Sequence, residues 1–155
     1  MALYLVQHGV SAAGDIDPGK GLTERGREET ALIAGVAQSY GISVAQIVHS
    51  GKKRAAETAA IFHRTLSLKT PLERLDGLQP LDDVKSFAQN NSPESGLMVI
   101  GHLPFLSRLV SLLTTGSEDI RVYRFQNSGI VCLDADDADG SLDWFIRWTL
   151  NPDIS

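Results

Sequence analysis

Mainly apolar runs alternate with amphipathic stretches along most of the chain. The short apolar runs predict five buried strands, at 2–7, 45–49, 97–101, 129–134 and 142–149. Apolar residues spaced by three and four predict helices over 23–39, after Ser50, over 82–89 and after His102. Strands that alternate with helices indicate a mostly parallel sheet with helices on both faces. The last two strands are expected to form an antiparallel hairpin at one edge, joined through "ADDADGS".

Polar residues and glycine mark the expected ends of these helices. Thr23 is suited to begin the first helix, which should stop near Gly41. Ser50 is a good N-cap for the second helix, and Pro104 suits the first turn of the last one. The remaining polar segments predict loops, at 10–21, 90–96 and 151–155.

Length and composition place the chain among compact globular proteins. At 155 residues we expect one domain over 1–155, folded as a three-layer α/β/α sandwich. The chain is 43% hydrophobic and 21% charged, and no apolar run approaches the roughly 20 residues of a membrane span. No signal peptide or lipidation motif is visible, so we expect a cytoplasmic protein with no membrane partner. A net charge of -5 argues against a nucleic-acid partner.

Three reactive segments follow predicted strands. His8 follows the first strand, the segment 50–54 with Arg54 follows the second, and His102 follows the third. Ligands of open α/β sheets bind where strands deliver their carboxyl ends, so these groups should meet beside two helix N-termini. Free N–H groups at a helix N-terminus favour an anion, and the pattern therefore predicts a phosphate site.

Cys132 and two further histidines receive no role. Cys132 is the only cysteine and lies in the apolar run "GIVCL", where a packed thiol is expected. His49 and His63 belong to no motif.

Four segments resemble the histidine phosphatase superfamily, and within it the short SixA-type phosphohistidine phosphatases. The segments are "LVQHG" at 5–9, "KGLTERG" at 20–26, "HSGKKRAAETA" at 49–59 and "VIGHLPFL" at 99–106. Their order, spacing and total length agree with the family pattern. The resemblance implies a phosphoglycerate mutase-like fold and a phosphatase that uses neither a metal nor another cofactor.

The resemblance also implies a covalent mechanism with His8 as the nucleophile. A neutral ring nitrogen would attack phosphorus, and water would hydrolyse the resulting phosphohistidine. Arg54 and His102 would hold the phosphoryl oxygens, with Gln7 and Lys20 as further phosphate contacts. These residue types suit the chemistry because phosphoryl transfer depends on alignment and on positive charge around the oxygens. A histidine with a reference pKa of about 6.5 keeps a neutral nitrogen near pH 7, and flanking cations would lower that pKa.

Two residues depart from the family pattern. Gln7 stands where the family carries arginine, and Lys20 stands where SixA-type members commonly carry arginine. Loss of a charge-assisted hydrogen bond costs about 1.5–3 kcal/mol, or roughly 10- to 100-fold in rate. A phosphatase of reduced activity and an inactive module that binds phosphohistidine or phosphate are both compatible with Gln7.

The chemistry of the leaving group indicates which class of substrate to expect. Branches of the superfamily that act on alcohol phosphates carry an acidic residue near 77 or just after the second histidine, where this chain has Gly77 and Leu103. Asp76 stays a candidate general acid. Without an acid the substrate needs a good leaving group, and the imidazole of phosphohistidine is one. We therefore expect a phosphohistidine-containing partner, a phosphotransfer or histidine-kinase domain, with small phosphate esters as the alternative.

A P-loop offers a rival interpretation. The segment 14–20 reads "GDIDPGK", which satisfies the glycine and lysine spacing of that motif. Gly21 stands where the motif requires Ser or Thr, and no strand directly precedes the loop. Asp15 and Asp17 would repel nucleotide phosphates, so we reject the P-loop.

Overall fold

The computed structural model describes residues 1–14, 16 and 18–154 and contains a six-stranded sheet with helices on both faces. The strands are β1 (Leu3–Gln7), β2 (Gln46–His49), β3 (Glu73–Arg74), β4 (Leu97–Gly101), β5 (Ile130–Ala138) and β6 (Ser141–Leu150). The helices are α1 (Glu24–Ser39), α2 (Lys53–Thr65), α3 (Val84–Asn90) and α4 (Phe105–Thr115), with a short 3-10 helix at Pro93–Ser95.

The sheet has the strand order β3-β2-β4-β1-β5-β6. The neighbours β3-β2, β2-β4 and β4-β1 are parallel, whereas β1-β5 and β5-β6 are antiparallel. The predicted three-layer fold, with a mostly parallel sheet and an antiparallel edge, is confirmed. Strand β4 therefore lies between β1 and β2, and their carboxyl ends share one edge of the sheet.

Two apolar cores lie on opposite faces of the sheet. Tyr4 and Val6 face the core formed with α1 and α2, while Leu3 and Leu5 face the core formed with α3 and α4. This alternation follows from the period of two along a strand. Because β1 and β4 are covered on both faces, they appear in the sequence as continuous apolar runs.

The polar ends of α1 agree with the sequence. The backbone N–H of Gly26 donates to the Thr23 hydroxyl over 3.0 Å, so Thr23 is the N-cap. The helix ends at Ser39, and Gly41 follows with a positive φ of 68°.

Two expectations about elements were wrong. Helix α2 begins at Lys53, and its N-cap Lys52 makes no side-chain capping bond, so Ser50 does not cap this helix. The hydroxyl of Ser50 contacts a histidine instead, as described below. Strand β3 was not predicted because Glu73 and Arg74 are both exposed and leave no apolar signal.

The final hairpin is longer than predicted. Strands β5 and β6 extend to Ala138 and from Ser141, which leaves Asp139 and Gly140 as the turn between them. In the described part of the chain, no helix is long and apolar enough to cross a membrane. Asp15 and Asp17, which argued against a P-loop, lie outside the described residues.

Candidate active site

The candidate site lies at the carboxyl ends of β1, β2 and β4. Gln7 ends β1, and the backbone N–H of His8 donates to the carbonyl of Gly101 at the end of β4 over 3.1 Å. His102 follows immediately, and the ring centroids of His8 and His102 are 5.1 Å apart. The predicted meeting of two histidines at one edge of the sheet is therefore found in the structure.

Both ring nitrogens of His8 have partners that define its protonation. Nδ1 lies 2.7 Å from the carbonyl oxygen of Gly9, which can only accept, so Nδ1 carries the proton. The Nε–H of Arg54 donates to Nε2 over 3.3 Å, so Nε2 carries the lone pair. This pairing describes a neutral imidazole whose unprotonated nitrogen lies beside a guanidinium.

The pKa of His8 is lowered from its ordinary 6.5, mainly by burial. The hydrogen bond to Gly9 opposes this shift, and the charge of Arg54 adds to it. The expected direction is therefore present, although burial contributes more than the flanking cation.

The turn that carries His8 is held by residues from distant segments. The Gly9 N–H donates to the buried Thr58 hydroxyl over 3.0 Å, and the Asn127 amide donates to the His8 carbonyl over 2.8 Å. Sequence reasoning assigned neither residue. Thr58 was visible in the motif quoted at 49–59, whereas Asn127 belongs to no motif.

His102 is 2% exposed and has one partnered nitrogen. Its Nε2 lies 2.6 Å from the hydroxyl oxygen of Ser50, while its buried Nδ1 has no hydrogen-bond partner. Burial lowers the pKa of His102 to about 3, helped by the nearby charges of His8, Arg54 and Lys52. The ring is therefore neutral at pH 7.

Gln7 also has an unpartnered atom. Its side-chain Oε1 is buried without a hydrogen bond. Buried polar atoms nearly always have partners, so both unpaired atoms call for water or a ligand. Oε1 can only accept, so its partner must be a donor and is not a phosphoryl oxygen.

Two other candidate residues are not joined to this group. Lys20 is exposed on the loop after β1, with a positive φ of 50°, and Asp76 is exposed beside α3. Between the described residues, no hydrogen bond or ion pair links either of them to His8, Arg54 or His102. The geometry thus unites Gln7, His8, Arg54 and His102, but not Lys20 or Asp76.

The residues without an assigned role lie elsewhere. His49 accepts a hydrogen bond from the backbone N–H of Gly51, and His63 contacts the carbonyl of Thr70. Cys132 is buried, as expected, and burial raises the pKa of its thiol to about 11. Within the described ranges, no group of three or more His, Cys, Asp or Glu side chains could hold a metal ion.

Comparisons with known proteins agree with this geometry. A sequence model of the histidine phosphatase superfamily (branch 1) matches residues 3–82. A comparison with curated protein sequences returns no significant match. The chain belongs to the histidine phosphatase superfamily.

Solved structures place it nearer to one group of that superfamily. The protein histidine phosphatase SixA complexed with tungstate is 26% identical, with a TM-score of 0.81 over 98% of this chain and 97% of that chain. A candidate phosphohistidine phosphatase SixA from Agrobacterium tumefaciens is 21% identical, with a TM-score of 0.74 over 97% of each chain. A mycobacterial glucosyl-3-phosphoglycerate phosphatase complexed with VO3 shares the fold at 13% identity, with a TM-score of 0.67 over 94% of this chain and 97% of that chain. The chain is therefore a SixA-like member of a phosphatase superfamily.

Proposed function

We propose that this protein is a phosphohistidine phosphatase that acts through a covalent intermediate on His8. The observation that carries the proposal is the pair of hydrogen bonds on the His8 ring, which leaves the Nε2 lone pair beside the Arg54 guanidinium. That arrangement supplies a nucleophile and a cation for the same phosphoryl group. A histidine phosphatase of this fold that binds tungstate, an oxyanion, supports an oxyanion site here.

In the first step, the Nε2 lone pair of His8 attacks phosphorus. A P–N bond forms to His8 while the P–N bond to the substrate imidazole breaks, and the leaving nitrogen takes a proton from solvent. Arg54, His102 and Gln7 contact the phosphoryl oxygens. In the second step, water attacks phosphorus and releases inorganic phosphate, which returns His8 to its neutral form.

The substrate preference follows from the leaving group. No carboxylate is joined by a hydrogen bond to His8 or His102 among the described residues, and Asp76 is exposed beside α3. Transfer from one imidazole to another exchanges one phosphoramidate for another, so it is nearly balanced in energy. We therefore infer that the substrate is a phosphohistidine on a phosphotransfer or histidine-kinase domain.

Gln7, which stands where the family carries arginine, favours a second candidate function. An amide holds a phosphoryl oxygen less strongly than a guanidinium does. A protein that binds phosphohistidine or phosphate with little or no turnover would show the same pocket.

One experiment separates these functions. Phosphohistidine proteins, phosphoamino acids and small phosphate esters are incubated with the protein, with and without a chelator, and intact mass is recorded after brief exposure. We expect release of phosphate from phosphohistidine and an acid-labile gain of one phosphoryl group, both unaffected by the chelator. The gain should disappear in His8→Ala and persist in the control His63→Ala.

Each other outcome has a defined meaning. Turnover of esters but not of phosphohistidine would refute the substrate, and loss of activity with the chelator would refute the metal-free mechanism. Binding without turnover would establish the second candidate. A label that persists in His8→Ala would exclude His8 as the nucleophile.

A further inference from the structure

Ser50 is a buried residue whose hydroxyl is committed to His102. It is 1% exposed and follows β2, and its Oγ lies 2.6 Å from His102 Nε2. The Gln79 side-chain amide donates to the Ser50 carbonyl over 2.9 Å, which holds the serine backbone in place. Because α2 begins without a capping bond from Ser50, the hydroxyl does not cap the helix and contacts His102 instead.

The protons around this hydroxyl can be counted. The backbone N–H of Lys52 lies 3.4 Å from Ser50 Oγ and can only donate. Ser50 therefore accepts from Lys52. Its oxygen has a second lone pair, but if it also accepted from His102 Nε2 its own hydroxyl proton would have no acceptor among the described residues, so we assign the proton to the bond with His102 Nε2. A neutral imidazole that accepts at Nε2 carries its own proton on Nδ1.

Nδ1 is the ring nitrogen of His102 that has no hydrogen-bond partner. It is buried without a partner, on a residue that is only 2% exposed. A buried N–H without a partner is unfavourable, so an acceptor supplied by a ligand at this place is favoured. The centroid of the His8 ring is 5.1 Å away, so the two rings are direct neighbours in one site.

We propose that Ser50 is a positioning residue that holds neutral His102 in the Nδ1–H tautomer, so that His102 gives an uncharged hydrogen bond to a phosphoryl oxygen. This role rests on the proposed function for the position of the phosphoryl group. With the opposite tautomer, Nδ1 would present a lone pair to an anionic oxygen and repel it.

His102 does not need a charge to contact an anion. Arg54 already supplies positive charge beside His8, and a neutral imidazole N–H can donate to a phosphoryl oxygen. Among the described residues, Arg54 and Lys52 are the cations whose charges act on His102. The hydroxyl thus allows His102 to donate at neutral pH without becoming charged.

The test combines nitrogen NMR with kinetics. In wild-type protein with 15N-labelled histidine, His102 should show a protonated Nδ1 and an unprotonated Nε2, and tungstate should shift the Nδ1 signal. Ser50→Ala should lose this single tautomer and lower kcat roughly 10- to 100-fold, because a donor to the transition state is lost. Ser50→Thr, which keeps a hydroxyl, should restore both the single tautomer of His102 and the wild-type kcat.

Ser111→Ala is the matched control. Ser111 is also a buried serine, 2% exposed, but its hydroxyl donates to the Ser107 carbonyl within α4 over 2.9 Å. This variant should keep the His102 spectrum and the wild-type kcat.

Two results would overturn the proposal: a wild-type spectrum with the proton on Nε2, or a Ser50→Ala variant with the wild-type tautomer and kcat. The wild-type spectrum decides the tautomer even where Ser50→Ala does not fold. Failure of the proposed function is recognised separately, because the tautomer and its response to tungstate are measured without turnover.

Discussion

Gln7 is the residue at which this chain differs most from the family pattern that it resembles. It ends β1 next to His8, for which we propose the role of nucleophile, and its buried Oε1 has no hydrogen-bond partner. An amide can contact a phosphoryl oxygen, but it brings no charge to a group whose charge is spread over its oxygens. Among the described residues, Arg54 is the cation that hydrogen-bonds to His8.

Replacement of Gln7 by arginine should raise turnover of phosphohistidine substrate roughly 10- to 100-fold, because a charge-assisted hydrogen bond is regained. The measurement is kcat/KM with one phosphohistidine protein. Gln7→Met is the control of similar length, which removes the polar contact and should lower the rate below wild type. Unchanged or lower activity in Gln7→Arg would mean that the loop over 10–21 has been rebuilt around glutamine for another ligand.

Among the secondary-structure elements, helix α1 supports the turn that follows His8. Gly26 lies in its first turn, where a Cβ would stand only 2.2 Å from the carbonyl oxygen of Val10. The hydroxyl of Thr23 caps the same turn and also lies 3.3 Å from that oxygen. The glycine at position 26 of the matched segment 20–26 therefore allows α1 to pack closely against Val10.

Gly26→Ala and Gly35→Ala form a matched pair in this helix. Gly26→Ala should lower the free energy of unfolding by about 1–3 kcal/mol, because the added methyl overlaps backbone that cannot yield easily. Gly35 has nothing within 4 Å of the added atom, so Gly35→Ala should raise stability by about 0.5–1 kcal/mol through helix propensity. Urea denaturation measures both, and equal effects in the two variants would contradict this explanation.

One half-buried and one buried histidine, His8 and His102, connect the site to the stability of the whole molecule. His8 and His102 are held neutral in the fold, whereas in the unfolded chain each takes up a proton near its ordinary pKa of 6.5. The native state therefore binds fewer protons than the unfolded state at mildly acid pH. Their contribution to stability is complete above about pH 6.5 and is lost as the pH falls.

For His102, whose pKa in the fold is about 3, the loss should extend from about pH 6.5 down to pH 3. Its slope should be about 1.4 kcal/mol of unfolding free energy for each pH unit. The measurement is denaturant unfolding as a function of pH for wild type and His102→Gln. Subtracting one curve from the other cancels the pH dependence of the carboxylates, which both proteins share. A difference in unfolding free energy that does not change with pH would contradict a buried neutral His102.

Much of the architecture can be predicted from the amino-acid sequence. Continuous apolar runs identify β1 and β4 because both faces of these strands are covered, and Thr23 marks the start of α1 because its hydroxyl binds a local N–H. The motif order also places His8, Arg54 and His102 together, since carboxyl ends of parallel strands share one edge. Signals of this kind depend on the spacing of apolar and polar residues and on the burial that this spacing indicates, and both can be read from the sequence.

The partners of individual polar atoms cannot be predicted in the same way. From the sequence, the Ser50 hydroxyl could have bonded to the N–H groups of the following helix or to a distant histidine. In the structure its partner is His102, 52 positions away. The same holds for Asn127, which reaches the His8 carbonyl over 119 positions. Such choices depend on which distant groups a packed sheet brings within about 3 Å, because hydrogen bonds act only over that range. The sequence therefore determined the residue types at the site, whereas the protonation of its histidines followed from their neighbours in space.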